Sequence, residues 1–203
     1  GRSYINHPME LNIWRAPTDN DMYIKQEWKK AHYDAAYTRA YRIEVLQNKH
    51  GVLIMEHVAV VAATVQKILD VKMTWKINED GKIEAVIEAI KDKEFPDLPR
   101  FGIRMFLNKK MDEITYFGMG PQESYRDKHQ ASCHGLFRSK VAQMHEDYIR
   151  PQENGSHYDC DYVELTNGQC GIAAVSKNPF SFNASVYTQE ELERVSHNYE
   201  LKE

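Results

Sequence analysis

Residues 71–90 leave this chain little choice of fold. Val71, Met73, Trp75 and Ile77 alternate with polar neighbours, Asp80-Gly81 makes a turn, and Ile83, Ala85, Ile87 and Ala89 alternate on the return. Successive side chains of a strand point to opposite faces, so this pattern predicts a β-hairpin with one buried face. The surrounding sequence repeats the theme. Residues 41–46 and 52–63 are rich in β-branched side chains and flank the turn-like Asn48-Lys49-His50-Gly51. Phe101, Ile103, Met105 and Leu107 alternate again, and 113–117 lead into a Gly-containing polar stretch. Between them, residues 92–100 contain Pro96 and Pro99 and read as a loop, because proline cannot donate to a ladder. Later, a hairpin is expected through Asn167-Gly168 with a return along 170–175, and Phe180, Phe182, Ala184 and Val186 predict one more strand.

Helical signals are confined to the margins. Ile24, Trp28 and Ala31 are spaced for one face of a short amphipathic helix within 22–33. Thr188-Gln189-Glu190-Glu191 is a capping-box pattern from which a second short helix should run towards His197. Residues 1–8 carry little pattern and read as part linker, and 129–147 show no clean period. Hairpins joined by polar loops point to an all-β, antiparallel sandwich with short marginal helices. A length of 203 residues suits one such domain, 1–203.

Charge and composition exclude several classes of partner. Twenty-six Lys and Arg stand against 30 Asp and Glu, a net charge of -4 with no extended basic patch, which argues against nucleic acid because phosphate binding rests on clustered cations. No apolar run approaches the length of a membrane helix. Cys133, Cys160 and Cys170 are odd in number and form no Cys-x-x-Cys pair, so reduced thiols and no metal site are expected.

Polar side chains gather in three places. Tyr148 and Ile149 lead into Arg150, Gln152, Glu153, Asn154 and His157 before alternation resumes at Tyr162 and Val163, which reads as a polar loop between two strands. A hydrated turn built on Pro151 and Asn154-Gly155 accounts for the same residues. Glu123 and Glu153 each follow Pro-Gln and form the first carboxylate pair to weigh. Glycoside hydrolysis needs two carboxyl groups about 5 Å apart for retention or about 6.5–9.5 Å for inversion. The competing role is structural: accepting backbone N–H groups and pairing with Arg126 or Arg150. Finally, Arg15, Asp19, Asn20 and Asp21 have the donors and acceptors to recognise sugar hydroxyls, with Trp14 to pack on a ring; alternatively Trp14 is core and 19–21 a turn.

Taken in order, Leu-Asn-Ile-Trp-Arg-Ala-Pro-Thr-Asp-Asn-Asp at 11–21, Tyr-Phe-Gly-Met-Gly-Pro-Gln-Glu-Ser-Tyr-Arg-Asp at 116–127 and Arg-Pro-Gln-Glu-Asn-Gly at 150–155 resemble the C-terminal small-chain domain of bacterial family 2 β-galactosidases. The resemblance implies a supersandwich of the galactose mutarotase-like type that packs beside a separate catalytic barrel and helps shape the sugar site. It implies a retaining parent hydrolase whose catalytic glutamates lie in the barrel, so the isolated chain should contain no catalytic residue. Trp14, Arg15, Asp19, Asn20, Asp21, Glu123, Arg150, Glu153, Asn154 and His157 are then the substrate-side candidates. No cofactor is expected in this chain; Mg and Na belong to the parent enzyme, and the family domain continues beyond Glu203, so the chain is expected to be truncated. The other domains of the parent and a β-galactoside are the expected partners, a homo-oligomer of the parent is compatible, and the compartment is left open between bacterial cytoplasm and periplasm. Two alternatives remain open: a free-standing carbohydrate-binding module, and a mutarotase-like aldose epimerase using His157 as acid, with His134 and His145 as further histidines to weigh.

Overall fold

Residues 5–202 are described in a computed structural model of the chain. They form, in order, β1 (Ile5–Asn12), α1 (Ile24–Lys30), β2 (Tyr37–Asn48), β3 (Gly51–Val61), β4 (Lys67–Asn78), β5 (Ile83–Lys91), β6 (Gly102–Leu107), β7 (Glu113–Gly120), β8 (Cys133–Lys140), β9 (Ser156–Thr166), β10 (Gly171–Asn183) and α2 (Gln189–Arg194). β1 pairs with β6, and two four-stranded sheets run β2-β3-β4-β5 and β10-β9-β7-β8. Every paired neighbour within the four-stranded sheets is antiparallel. The all-β, antiparallel expectation with short helices therefore holds.

Two compact units divide the chain. Of the described residues, the hairpin unit gathers Met9–Trp14 and Asp21–Arg104, and the motif unit gathers 5–8, Arg15–Asn20 and 105–202.

In the hairpin unit the alternation of 71–90 produces β4 and β5, joined at the expected turn, with Val71 opposite Ala89 and Trp75 opposite Ala85. Val58, Val60, Leu69, Val71 and Met73 turn one sheet face into a core with Ile13, Trp14, Trp28 and Tyr33. The helix that carries Trp28 is shorter than 22–33, and it suits its dipole with Glu27 in the first turn and Lys29 and Lys30 in the last. Two aromatic tips pin the proline loop: Trp28 Nε1 donates to the Asp97 carbonyl at 2.9 Å, and the Tyr33 hydroxyl donates to the Pro96 carbonyl at 2.7 Å. At Gly51 a Cβ would stand 2.1 Å from the Ile77 carbonyl oxygen, so only glycine lets β3 lie against β4 there.

The motif unit has a smaller core, in which Ile114, Tyr116, Met144, Cys160 and Val163 meet Phe137, Phe180 and Phe182. The Asn167-Gly168 turn joins β9 to β10, with Asn167 Oδ1 accepting from the Gln169 and Cys170 amides at 3.0 Å. Thr188 caps α2: its Oγ1 accepts from the Glu191 amide at 3.2 Å, and Glu191 Oε2 accepts from the Thr188 amide at 2.8 Å.

Five expectations need correction. Ile5–Pro8 belongs to β1 rather than to a linker, while residues 1–4 of that stretch lie outside the described residues. β8 occupies part of 129–147; as a sheet-edge strand that is mostly exposed on both faces, it needs no apolar alternation. The two strands expected over 170–186 are one, β10, whose register shifts around Phe180; Pro179 is tolerated because β10 is an edge. α2 stops at Arg194, short of His197. Finally, β5 exposes Ile83, Val86 and Ile90, and β6 exposes Ile103 and Met105, so alternation there does not mark a buried face.

Trp28 fills the centre of the hairpin core, edge-on to Trp14 at 6.2 Å between ring centroids. Replacing it (Trp28→Ala) should destabilise the unit by about 3–5 kcal/mol through the cavity left behind. Urea unfolding followed by circular dichroism should show the midpoint falling accordingly; an unchanged midpoint would mean that this core does not hold the unit.

Candidate functional site

The second and third polar motifs meet Arg15–Asn20 of the first in the motif unit. β7 ends at Gly120, and the chain after Pro121 carries Glu123 and Ser124 into the interior. A tight turn follows, in which the Tyr125 and Lys128 amides each donate to the other's carbonyl at 2.8 and 3.0 Å. That turn brings Lys128 back beside Glu123. From the other side, the chain descends from the 3-10 turn Val141–Met144 through 145–155 into β9, and residues 151–157 are buried without interruption. The stretch before β9 is thus irregular rather than a strand, and His157 lies on β9 rather than on the loop.

Among the described residues of this unit, seven polar ones are buried: Glu123, Ser124, Gln152, Glu153, Asn154, Ser156 and His157. Buried polar groups are stable only when paired. Glu123 accepts from Lys128 Nζ at 2.6 Å, from the Tyr148 hydroxyl, and from the Gly155 amide at 2.9 Å. Gln152 and Asp19 pair reciprocally: the Asp19 amide donates to Gln152 Oε1 at 3.0 Å, and Gln152 Nε2 donates to Asp19 Oδ2 at 3.1 Å. The Glu153 amide donates to the Ala16 carbonyl at 3.2 Å, and Asn183 Nδ2 donates to Glu153 Oε1 at 3.1 Å. Asn154 accepts from the Glu146 amide at 3.0 Å and donates to the Gln152 carbonyl at 2.9 Å. Ser124 sends its amide to the Ser156 carbonyl at 2.7 Å and accepts from the Tyr158 amide at 2.9 Å. Motifs far apart in sequence are locked together by these bonds.

Electrostatics follow from the same contacts. Burial pushes the Glu123 carboxyl upward, but Lys128, the Tyr148 hydroxyl and the Gly155 amide together outweigh it and hold its pKa below the ordinary value. Lys128 is raised in return, first by its bond to Glu123 and then by Tyr148. Burial, and after it the Glu153 and Glu123 charges, push the Tyr125 phenol up. His157 is only 2% exposed; burial lowers its pKa, and the bond to the Met119 carbonyl only partly opposes this. Its ring packs between Tyr116 and Phe182, with centroids at 4.4 and 5.3 Å.

Beside this network opens a cleft of about 630 Å³, lined among others by Gln122, Glu123, Asp127, Lys128, His129, Glu146, Asp147 and Tyr148. Its wall offers carboxylates, amides and one ammonium together with the Tyr148 ring. That is the mixture of acceptors, donors and an apolar face that a polyhydroxylated ligand requires. Among the described residues no group of three or more His, Cys, Asp or Glu side chains gathers to hold a metal ion.

Of the residues singled out in sequence, Asp19, Glu123, Glu153, Asn154 and His157 come together in the motif unit, and Arg15 and Asn20 belong to the same unit. Arg150 is exposed and contributes its carbonyl to Gln152 Nε2 at 3.2 Å. Trp14 and Asp21 belong to the hairpin unit, where both are buried and Trp14 is core. The partners expected for Glu123, Arg126 or Arg150, are replaced by Lys128 and Tyr148. Neither was legible as a ligand of Glu123, although the Tyr-Arg-Asp-Lys turn that returns Lys128 is a local feature.

Replacing Glu123 by Gln should cost about 1.5–3 kcal/mol, the value of hydrogen bonds to a charged group. Because its folded pKa is depressed, the carboxylate stabilises the fold above its unfolded pKa of about 4.3 and loses that effect as pH falls through the lower folded value. The difference between parent and E123Q in urea melts should therefore shrink below about pH 4; a pH-independent difference would contradict the ionised state. Gly155 has φ +70°, and a Cβ there would lie 2.3 Å from the Met144 carbonyl oxygen. Gly155→Ala should accordingly destabilise by more than about 1 kcal/mol in the same assay.

Comparison with known proteins places this geometry in context. Residues 1–203 match the family described as beta galactosidase small chain. The sequence is 45% identical over 203 residues to a beta-galactosidase of Actinobacillus pleuropneumoniae, covering 100% of this chain and 20% of that protein. It is 36% identical over 186 residues to a beta-galactosidase of Staphylococcus xylosus, 92% of this chain and 19% of that protein. With a beta-galactosidase of Vibrio cholerae it shares 29% identity over 214 residues, 99% of this chain and 20% of the relative. The chain spans about a fifth of the length of the curated relatives it matches.

Proposed function

Because the chain belongs to the beta galactosidase small-chain family, we propose that it is a non-catalytic domain of a retaining β-galactosidase, one that packs against the catalytic barrel and supplies a polar wall near the sugar. The buried interlock around Glu123 carries this reading: with the Asp19–Gln152 pair it ties the second and third motifs and Arg15–Asn20 of the first into one floor beside an open cleft of carboxylates, amides and the Tyr148 ring. Rigid support of this kind is what positioning a substrate demands.

The chemistry of the two glutamates agrees with a supporting role. A glycosidase acid must keep its proton near neutral pH, which requires a raised pKa. Glu123 is shifted the other way, with donors on both carboxylate oxygens. Glu153 is buried and accepts from Asn183. A lowered pKa speaks only against Glu123 as the acid; the family reading is what assigns the acid and the nucleophile to the barrel. We assign the antiparallel sheets to the galactose mutarotase-like supersandwich type, with 1–203 as one small-chain domain. A mutarotase acid at His157 is disfavoured, since that ring is enclosed by Tyr116 and Phe182. Any Mg or Na that the parent uses is assigned, as part of the same reading, to its other domains, and no step is drawn through a metal. The same cleft makes an autonomous carbohydrate-binding module the second reading.

The chain alone should leave a chromogenic β-galactoside intact, while deleting it from the complete enzyme should abolish most turnover. Full activity in the deletion variant would end the supporting role. Isothermal calorimetry with galactose separates the second reading, which requires binding by this chain by itself.

A further inference from the structure

The sequence holds two Asn-Gly pairs, Asn154-Gly155 and Asn167-Gly168. In such a pair the backbone nitrogen of the glycine can attack the asparagine side-chain carbon and close a five-membered ring, since no Cβ crowds its approach. The fold places the two pairs in opposite circumstances.

At Asn167 the groups that this reaction needs are already assembled. Asn167, Gly168 and Gln169 are exposed at the tip of the β9–β10 hairpin, and a Cβ built on Gly168 would meet nothing within 4 Å, so water reaches the pair and nothing crowds the glycine. Asn167 Oδ1 lies between the Gln169 and Cys170 amides, each donating at 3.0 Å. Two N–H groups on one carbonyl oxygen act as an oxyanion hole: they draw electron density from Cγ and stabilise the negative charge that attack places on Oδ1. The Gly168 amide donates to Thr166 Oγ1 at 3.0 Å, and that hydroxyl donates in turn to the Cys170 carbonyl at 2.9 Å. A hydroxyl lone pair therefore faces the proton that has to leave.

At Asn154 the same atoms are committed elsewhere. The residue is 6% exposed, and its Nδ2, which would have to depart, donates to the Gln152 carbonyl at 2.9 Å. Its Oδ1 accepts from one backbone amide, that of Glu146. The Gly155 nitrogen donates to the Glu123 carboxylate at 2.9 Å, a charge-assisted bond that attack would break, and the Met144 carbonyl crowds the glycine.

We propose that Asn167 is a site of spontaneous deamidation in the folded protein, while folding protects Asn154. Hydroxide removes the Gly168 amide proton, the Gly168 nitrogen bonds to Cγ, and the carbonyl electron pair moves onto Oδ1. When that pair returns, the Cγ–Nδ2 bond breaks and Nδ2 leaves as ammonia with a proton from water. Water then adds to either carbonyl of the succinimide and opens it to aspartate or isoaspartate. Either product adds one negative charge, and isoaspartate also lengthens the backbone between Thr166 and Gly171, the pair that closes the β9–β10 ladder.

The test incubates the folded chain, and the same chain in denaturant, in mildly alkaline buffer. Peptide mapping by mass spectrometry reads aspartate and isoaspartate at each pair, and circular dichroism verifies that the first sample stays folded. Asn167 should convert in the folded chain at no less than its unfolded rate. Asn154 should convert at least about ten-fold more slowly folded than unfolded, the factor set by breaking a hydrogen bond to a charged group. Slower conversion of Asn167 on folding would overturn the proposal, and so would weaker protection of Asn154.

Discussion

A carboxylate removed from water is stable only where other donors replace its hydration, and the arrangement of the motif unit rests on that condition at Glu123. Its three donors come from separate places: a lysine five positions on, a tyrosine on the descending loop, and a backbone amide at the mouth of β9. Each fixes a different segment relative to the same two oxygens. Once those segments are placed, the pairing of Asp19 with Gln152 and of Glu153 with Asn183 has little freedom left.

The two units are held in different ways. In the hairpin unit, neighbouring strands follow one another in sequence, and stabilisation comes from apolar area covered by a pair of tryptophans. Polar groups there act at the margin, where Trp28 and Tyr33 tie down the proline loop. In the motif unit the apolar core is smaller and a larger share of order comes from directional bonds. Hydrogen bonds specify geometry more sharply than apolar contact does, which suits a region that must present polar groups at set positions.

Sequence legibility tracks this division. The 71–90 hairpin, the Asn167-Gly168 turn and the Thr188 cap are local patterns, and each appears where its residues dictate. β8 was hidden because it carries no apolar rhythm, and the continuity of β10 because Ser176-Lys177-Asn178-Pro179 interrupts its pattern. Alternation in β5 and β6 was real but did not report burial, which depends on what lies against a strand and not on the strand itself. At the site, the motifs announced which segments would matter. They could not reveal that Lys128 and Tyr148, rather than an arginine, complete the charge pair, because that depends on how two irregular loops approach.

The link between Asp19 and Gln152 spans 133 positions of sequence. Translation proceeds at about 5–20 residues per second, so the Asp19 amide emerges on the order of ten seconds before its acceptor exists. The hairpins of 37–91 meanwhile need only nearby partners to pair. During synthesis the first motif thus stays without its Gln152 partner until that residue has been made. The polar floor is closed late, by residues whose genetic distance is far greater than their final separation.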